Sequence, residues 1–168
     1  MEKRTHIVVV SVPIVSHQIA ISEFSKRLLQ LHPNIRITFI IPVLEFLPNA
    51  SKSIIVSLLA LDIETITLPP VNLPKDTVPA LKLPLAMSLS LPSIHDALKL
   101  ITSTSHVVAI VADYFAYELH PFAKELKILS YVFFPTAATI ISLCLHSSTL
   151  HETISCEYKE LQEPIKIP

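Results

Sequence analysis

A chain of 168 residues, 51% hydrophobic and 16% charged, is long enough to bury a core and too apolar to remain disordered. Its net charge of −1, with no basic run, excludes a nucleic-acid surface, and two cysteines, Cys144 and Cys156, are too few for a disulfide framework. Glycine is absent while proline occurs 14 times, which excludes glycine-rich phosphate loops of both the P-loop and the dinucleotide type.

In chain order, residues 7–12 are apolar without alternation, the pattern of a parallel strand covered on both faces. A short loop follows, and residues 16–31 read as a helix with Ser16 as N-cap and His17 as its first helical position. Ile21, Phe24, Leu28 and Leu31 are expected to face the core, and Gln18, Ser22, Ser25, Lys26 and Gln30 to face out. A second strand is expected over residues 36–41, stopped by Pro42, then a helix over 51–61 and a third strand over 63–68, ended by Pro69-Pro70. Residues 80–103 read as helix interrupted at Pro84 and again at Pro92. A fourth buried strand spans 107–112 and ends at Asp113. The aromatic run Tyr114-Phe115-Ala116-Tyr117 leads into a helix to Leu126, delayed or kinked by Pro121. A fifth strand over 129–134 and an apolar helix over 136–150 precede a polar tail. Strands alternating with helices predict an α/β doubly wound, mostly parallel sheet, without internal repeats or a second domain.

Two apolar stretches raise the question of membranes. Residues 1–6 are basic and 7–15 apolar, but no small-residue cleavage site follows, so a secretory leader is not expected. Residues 128–145 carry no charge and reach the length of a membrane span. Ser130, Pro135, Thr136, Thr139 and Ser142 interrupt them, and strand, proline turn and buried helix is the better reading; no span is expected. With so few cysteines, a reducing, cytoplasmic location is the expectation.

His17 sits where the first strand meets its helix, and Asp113 closes the fourth strand. In a parallel sheet both lie at the carboxyl edge, where open α/β folds bind ligands. A carboxylate there can hold an imidazole in one tautomer and stabilise the imidazolium formed on proton uptake. The same pattern suits a helix-start histidine and an N-capping aspartate that never meet. Ser16 does not share a helix face with His17, and no nucleophile elbow is present, so a serine hydrolase is not expected. Cys144, His146, His151 and Cys156 match no metal-ligand spacing; a core thiol and surface histidines are the reading, and no metal is expected. His6, His32, His95, His106 and His120 have no spacing that singles them out.

Several segments, in the right order, carry a family likeness. The run His6-Ile7-Val8-Val9-Val10 through Pro13 and His17, then Glu23-Phe24-Ser25-Lys26-Arg27-Leu28-Leu29, resembles the amino terminus of plant family 1 UDP-glycosyltransferases. So do Ile37-Thr38-Phe39-Ile40-Ile41-Pro42, Leu91-Pro92-Ser93-Ile94, Val111-Ala112-Asp113 and Tyr131-Val132-Phe133-Phe134-Pro135-Thr136-Ala137-Ala138. Cys156-Glu157-Tyr158 and Glu163-Pro164-Ile165-Lys166-Ile167-Pro168 are similar to that family's linking region, and the whole chain looks closest to its hydroquinone glucosyltransferase branch.

The resemblance implies a Rossmann-like amino-terminal half of a GT-B fold, with residues 1–168 as one acceptor-binding domain and the donor-binding carboxyl-terminal domain absent. It implies that His17 is the general base for a small phenolic acceptor, that Asp113 orients it, and that Thr136 lies near the sugar. A UDP-sugar would be co-substrate, bound only with the carboxyl-terminal domain, and no other cofactor is implied. A truncated form with little or no activity alone is the first expectation. The alternative is a non-catalytic, degenerate module that binds small phenols or a full-length partner. Ile14 and Ser16 stand where relatives usually carry glycine, and Ser11 and Ala20 where they carry proline. Bulkier groups before His17 are expected to fill space a substrate needs. Pro121 falls in a helix that lacks it in relatives.

Overall fold

The valines of the first apolar run are buried because both faces of their strand are covered. In this computed structural model, which describes residues 4–154 and residue 160, that run is β1 (His6–Val10), the centre of a five-stranded sheet. The chain divides into two compact units, Met1–Pro135 and Thr136–Pro168. The first unit continues with α1 (Val15–Leu31), β2 (Arg36–Leu44), α2 (Asn49–Leu59), β3 (Glu64–Val71), α3 (Pro79–Thr104) and β4 (Val107–Asp113). A 3₁₀ helix (Tyr114–Leu119), α4 (His120–Glu125) and β5 (Leu129–Phe133) complete it. The second unit contains α5 (Ala138–Thr153).

The strand order is β3-β2-β1-β4-β5, with every neighbouring pair parallel, so the expected doubly wound sheet is present. Alternate residues of the central strands feed two cores. Val8, Val10 and Ile110 join Met87, Ile94 and Leu98 of α3 and Leu119 of the 3₁₀ helix on one face. Val9, Phe39 and Ile41 join Ile21 of α1 and Leu58 of α2 on the other. Each layer removes the apolar side of its helices from water, at roughly 25 cal/mol per Å² buried.

Several expected boundaries are corrected. β2 runs through Pro42 to Leu44, and Pro42 falls where the β2–β3 register shifts, between Ile41 and Val43, so the ladder does not need its missing N–H. β3 carries Pro69 and Pro70 to Val71 because it is an edge strand, with one side free of ladder bonds. α3 is one helix of 26 residues containing both Pro84 and Pro92. Both prolines are exposed, as are Ala80 and Ser88, whose carbonyls lose their partners; water can take those bonds. Pro121, by contrast, sits in the first turn of α4, where a proline is compatible. On α1, Leu31 is exposed, while Gln18, Ser22 and Ser25 are buried, against expectation. The serines become burial-tolerant by bonding back to the helix: Ser22 Oγ donates to the Ile19 carbonyl and Ser25 Oγ to that of Ile21. In the second unit Cys144 is exposed on α5, not the core thiol expected, and Cys156 lies outside the described residues.

A chain without glycine must still end its helices. After α2, Ile63 N–H bonds to the Leu58 carbonyl and Asp62 N–H to that of Leu59, with Asp62 left-handed at φ 59°. After α4, Ile128 N–H bonds to the Ala123 carbonyl and Lys127 N–H to that of Lys124, with Lys127 at φ 55°. Both are Schellman closures, sealed by an apolar residue just past the turn. A Cβ in that region costs roughly 1–2 kcal/mol, part of which a glycine would return as unfolded-state entropy. Lys127→Gly is therefore expected to stabilise the domain by about 0.5–1 kcal/mol in urea denaturation.

His6 opens β1 and is almost wholly buried. Its Nδ1 is 2.7 Å from Ser105 Oγ and its Nε2 is 2.8 Å from Thr38 Oγ1, which donates to Glu64 Oε2 at 3.0 Å. Burial, then the Arg36 charge, lowers the His6 pKa below 6.5, against an opposing pull from Glu64. Burial works against the Glu64 carboxylate, but hydrogen bonds from Arg36 and Thr38 prevail and hold its pKa below 4.5. With the folded His6 pKa depressed, its contribution is complete above 6.5 and is lost as pH falls towards the folded value. Stability should drop between pH 7 and 5, and His6→Gln should flatten that slope in melts followed across the range.

Candidate active site

The site begins with how β1 turns into α1 without glycine. Ile14 N–H bonds to the Val12 carbonyl at 2.8 Å, a tight turn centred on Pro13, whose fixed φ suits it. Ile14, at φ −124° and ψ 121°, then occupies the N-cap position of α1, so Ser16 is not the cap. His17 becomes the third residue of the helix instead of the first. Ile14 packs against the α3-side core and Ser16 is exposed, so at these positions the larger groups point into the core and into solvent.

β4 runs beside β1, pairing Val10 with Ala112, so the end of β4 lies next to the loop that carries His17. The structure brings the two sequence-predicted residues together: His17 Nδ1 is 2.9 Å from Asp113 Oδ2. The Asp113 side chain has no exposure and that of His17 has 22%. The other carboxylate oxygen, Oδ1, accepts the backbone N–H of Phe115 at 3.1 Å and caps the 3₁₀ helix. Asp113 thus has both roles that the sequence left open, cap and histidine partner. A carboxylate only accepts, so the shared proton belongs to Nδ1 and leaves the Nε2 lone pair available. An imidazole held in this way can accept a proton at Nε2.

Phe115 lies against the imidazole, ring centroids 5.5 Å apart, and Tyr114 lies between Phe115 and Phe134 at 4.7 and 4.4 Å. An aromatic wall therefore extends from the histidine. Sequence reasoning treated this run as a lead-in to a helix. The usable signal was the aspartate two residues before Phe115, the spacing of an N-cap and the N–H it accepts. Thr136, the third predicted residue, is exposed in the second unit, two residues before α5. Among the described residues no group of three or more His, Cys, Asp or Glu is placed to hold a metal ion, and no helix is long and apolar enough to cross a membrane.

No family profile matches the sequence. The hydroquinone glucosyltransferase of Rauvolfia serpentina is 39% identical over 171 residues, covering 100% of this chain and 36% of its own length. A UDP-glucosyltransferase from Polygonum tinctorium, described as capable of glucosylating indoxyl, superposes with a TM-score of 0.86 at 35% identity, over 98% of this chain and 37% of its own. Phytolacca americana UGT2, complexed with UDP-2fluoro-glucose and pterostilbene, gives 0.88 at 30% identity, over 98% and 38%. In sequence and in fold this chain resembles the amino-terminal part of plant UDP-glycosyltransferases. The chain spans little more than a third of the length of these relatives. Its sheet is the Rossmann-like amino-terminal half of the GT-B fold.

The two oxygens of Asp113 can be separated by mutation. Asp113→Asn keeps an acceptor for the Phe115 N–H, whereas Asp113→Ala removes it. The alanine variant should be less stable than the asparagine variant by about 1 kcal/mol in chemical denaturation.

Proposed function

We propose that this domain is the acceptor-binding half of a UDP-sugar-dependent, inverting glycosyltransferase acting on small phenols. The observation that carries the reading is the 2.9 Å bond between His17 and the buried Asp113 at the carboxyl edge of the sheet. Hydroquinone, pterostilbene and indoxyl, named with the relatives, each present a hydroxyl on an aromatic framework, and the wall formed by Phe115, Tyr114 and Phe134 suits a flat aromatic ring.

In this reading the phenol O–H donates its proton to His17 Nε2 as the oxygen attacks the anomeric carbon. The new C–O bond forms opposite the leaving group, the bond from that carbon to UDP breaks with its electron pair going to UDP, and configuration inverts. Asp113 holds Nδ1–H throughout and stabilises the imidazolium. A phenol with a pKa of about 10 is mostly protonated at neutral pH, so a positioned base is worth about 10²–10⁴ in rate. Thr136 is assigned to sugar binding, and the UDP-sugar to a carboxyl-terminal domain. Residues 1–168 alone are then expected to bind phenol and to turn over donor negligibly, and a cytoplasmic location goes with this reading.

The test joins residues 1–168 to the donor-binding half of a relative and assays glucoside formation from hydroquinone and UDP-glucose. His17→Ala should lower kcat/KM by about 10²–10⁴ with the fold intact. An unchanged rate would remove the base from His17 and with it this mechanism.

A further inference from the structure

His17 occupies the first turn of a helix that has no side-chain cap and no acidic residue near its start. Such a turn frays readily, because its leading N–H groups lie outside the helical ladder. A base that must meet Asp113 at hydrogen-bond distance needs that turn held by something else. The next residue supplies it. Gln18 is 2% exposed, and both ends of its amide are engaged. Its Nε2 donates to the Val12 carbonyl at 3.0 Å, and its Oε1 accepts from Ser51 Oγ at 2.6 Å. The orientation is fixed by the partners, since a carbonyl demands the NH₂ group and the hydroxyl is then left facing the oxygen. Ser51, itself buried, is the third residue of α2. The amide therefore ties the loop after β1, the start of α1 and the start of α2 into one knot beside His17. The Val12 carbonyl also takes the Ile14 N–H, so the tight turn at Pro13 and the Gln18 bond converge on one atom.

We infer that Gln18, clasped by Ser51, is the positioning residue that holds His17 in register with Asp113. The inference rests on the reading of His17 as the base, and it goes further by assigning the means of its preorganisation to a residue that touches no substrate. A buried primary amide with two satisfied ends is costly to remove from one side only: Gln18→Leu leaves the Ser51 hydroxyl without its acceptor and the loop without its tether. Freed from Asp113, a neutral histidine prefers the Nε2–H tautomer, so loss of register is readable directly in the ring.

The experiment labels the 168-residue chain with ¹⁵N-histidine and measures the Nδ1–H to Nε2–H ratio of His17 above its titration range. His17→Ala assigns the signal, and Asp113→Ala defines the unpaired ratio. Wild type should show the Nδ1–H form dominant. Gln18→Leu should lower the ratio about tenfold, and Ser51→Ala, which breaks one bond of the two, about threefold. Cooperative thermal unfolding accompanies each spectrum, and Ser51→Ala carries the test if Gln18→Leu does not fold. A dominant Nδ1–H form in wild type that persists in folded variants overturns the role of Gln18 and leaves the dyad standing. A wild-type ratio already equal to that of Asp113→Ala overturns the dyad itself.

Discussion

The strand order reverses at β1, and that reversal places the chain leaving β1 beside the end of β4, where His17 and Asp113 meet. β1 is paired on both edges, to β2 and β4, and covered on both faces, so its carboxyl end is held in place. The chain leaving it must turn towards α1 while the chain leaving β4 turns into the 3₁₀ helix that precedes α4. These exits diverge, and a ligand edge forms between them. The imidazole and the carboxylate are brought together by this topology; they are 96 residues apart in sequence.

The absence of glycine shapes the way this frame is closed. Left-handed positions are filled by Glu45, Asp62 and Lys127, each with a Cβ in a region that penalises it. The penalty, about 1–2 kcal/mol at each, is affordable only because a domain's apolar burial is large compared with its net stability. At the β1–α1 junction the fold avoids the penalty: proline makes the tight turn, an extended Ile14 starts the helix, and a buried amide ties the first turn to the Val12 carbonyl. Loss of glycine at a ligand edge is therefore compatible with an ordered dyad.

The parts of this arrangement that were legible in the sequence follow from local pattern. Unbroken runs of Val and Ile located the strands, because strands covered on both faces need no alternation. His17 and Asp113 stood out because each adjoins the end of such a run. The illegible parts depend on partners distant in sequence. Gln18 and Ser25 looked like solvent-facing residues of an amphipathic helix, and nothing local announces that Ser51, 33 positions later, accepts Gln18 into the interior. Pro42, Pro69, Pro84 and Pro92 looked like stops, but whether a missing N–H matters depends on whether that position faces a ladder, a register shift, an open edge or water. Phe115 was hidden because its role beside His17 comes from the turn of a 3₁₀ helix, not from periodicity.

The two buried ends of the central sheet contrast one residue type in two chemical states. At the amino edge both nitrogens of His6 are engaged, by Ser105 and Thr38, and burial drives its pKa down. With neither nitrogen left over, that ring can only be structural: it ties β1 to β2 and, through Thr38, to Glu64 on β3. At the carboxyl edge Asp113 takes one nitrogen of His17, whose side chain is partly exposed. A histidine becomes a base by having one nitrogen held and the other presented to a substrate hydroxyl. The difference between the two edges is thus whether the second ring nitrogen has a side-chain hydrogen-bond partner.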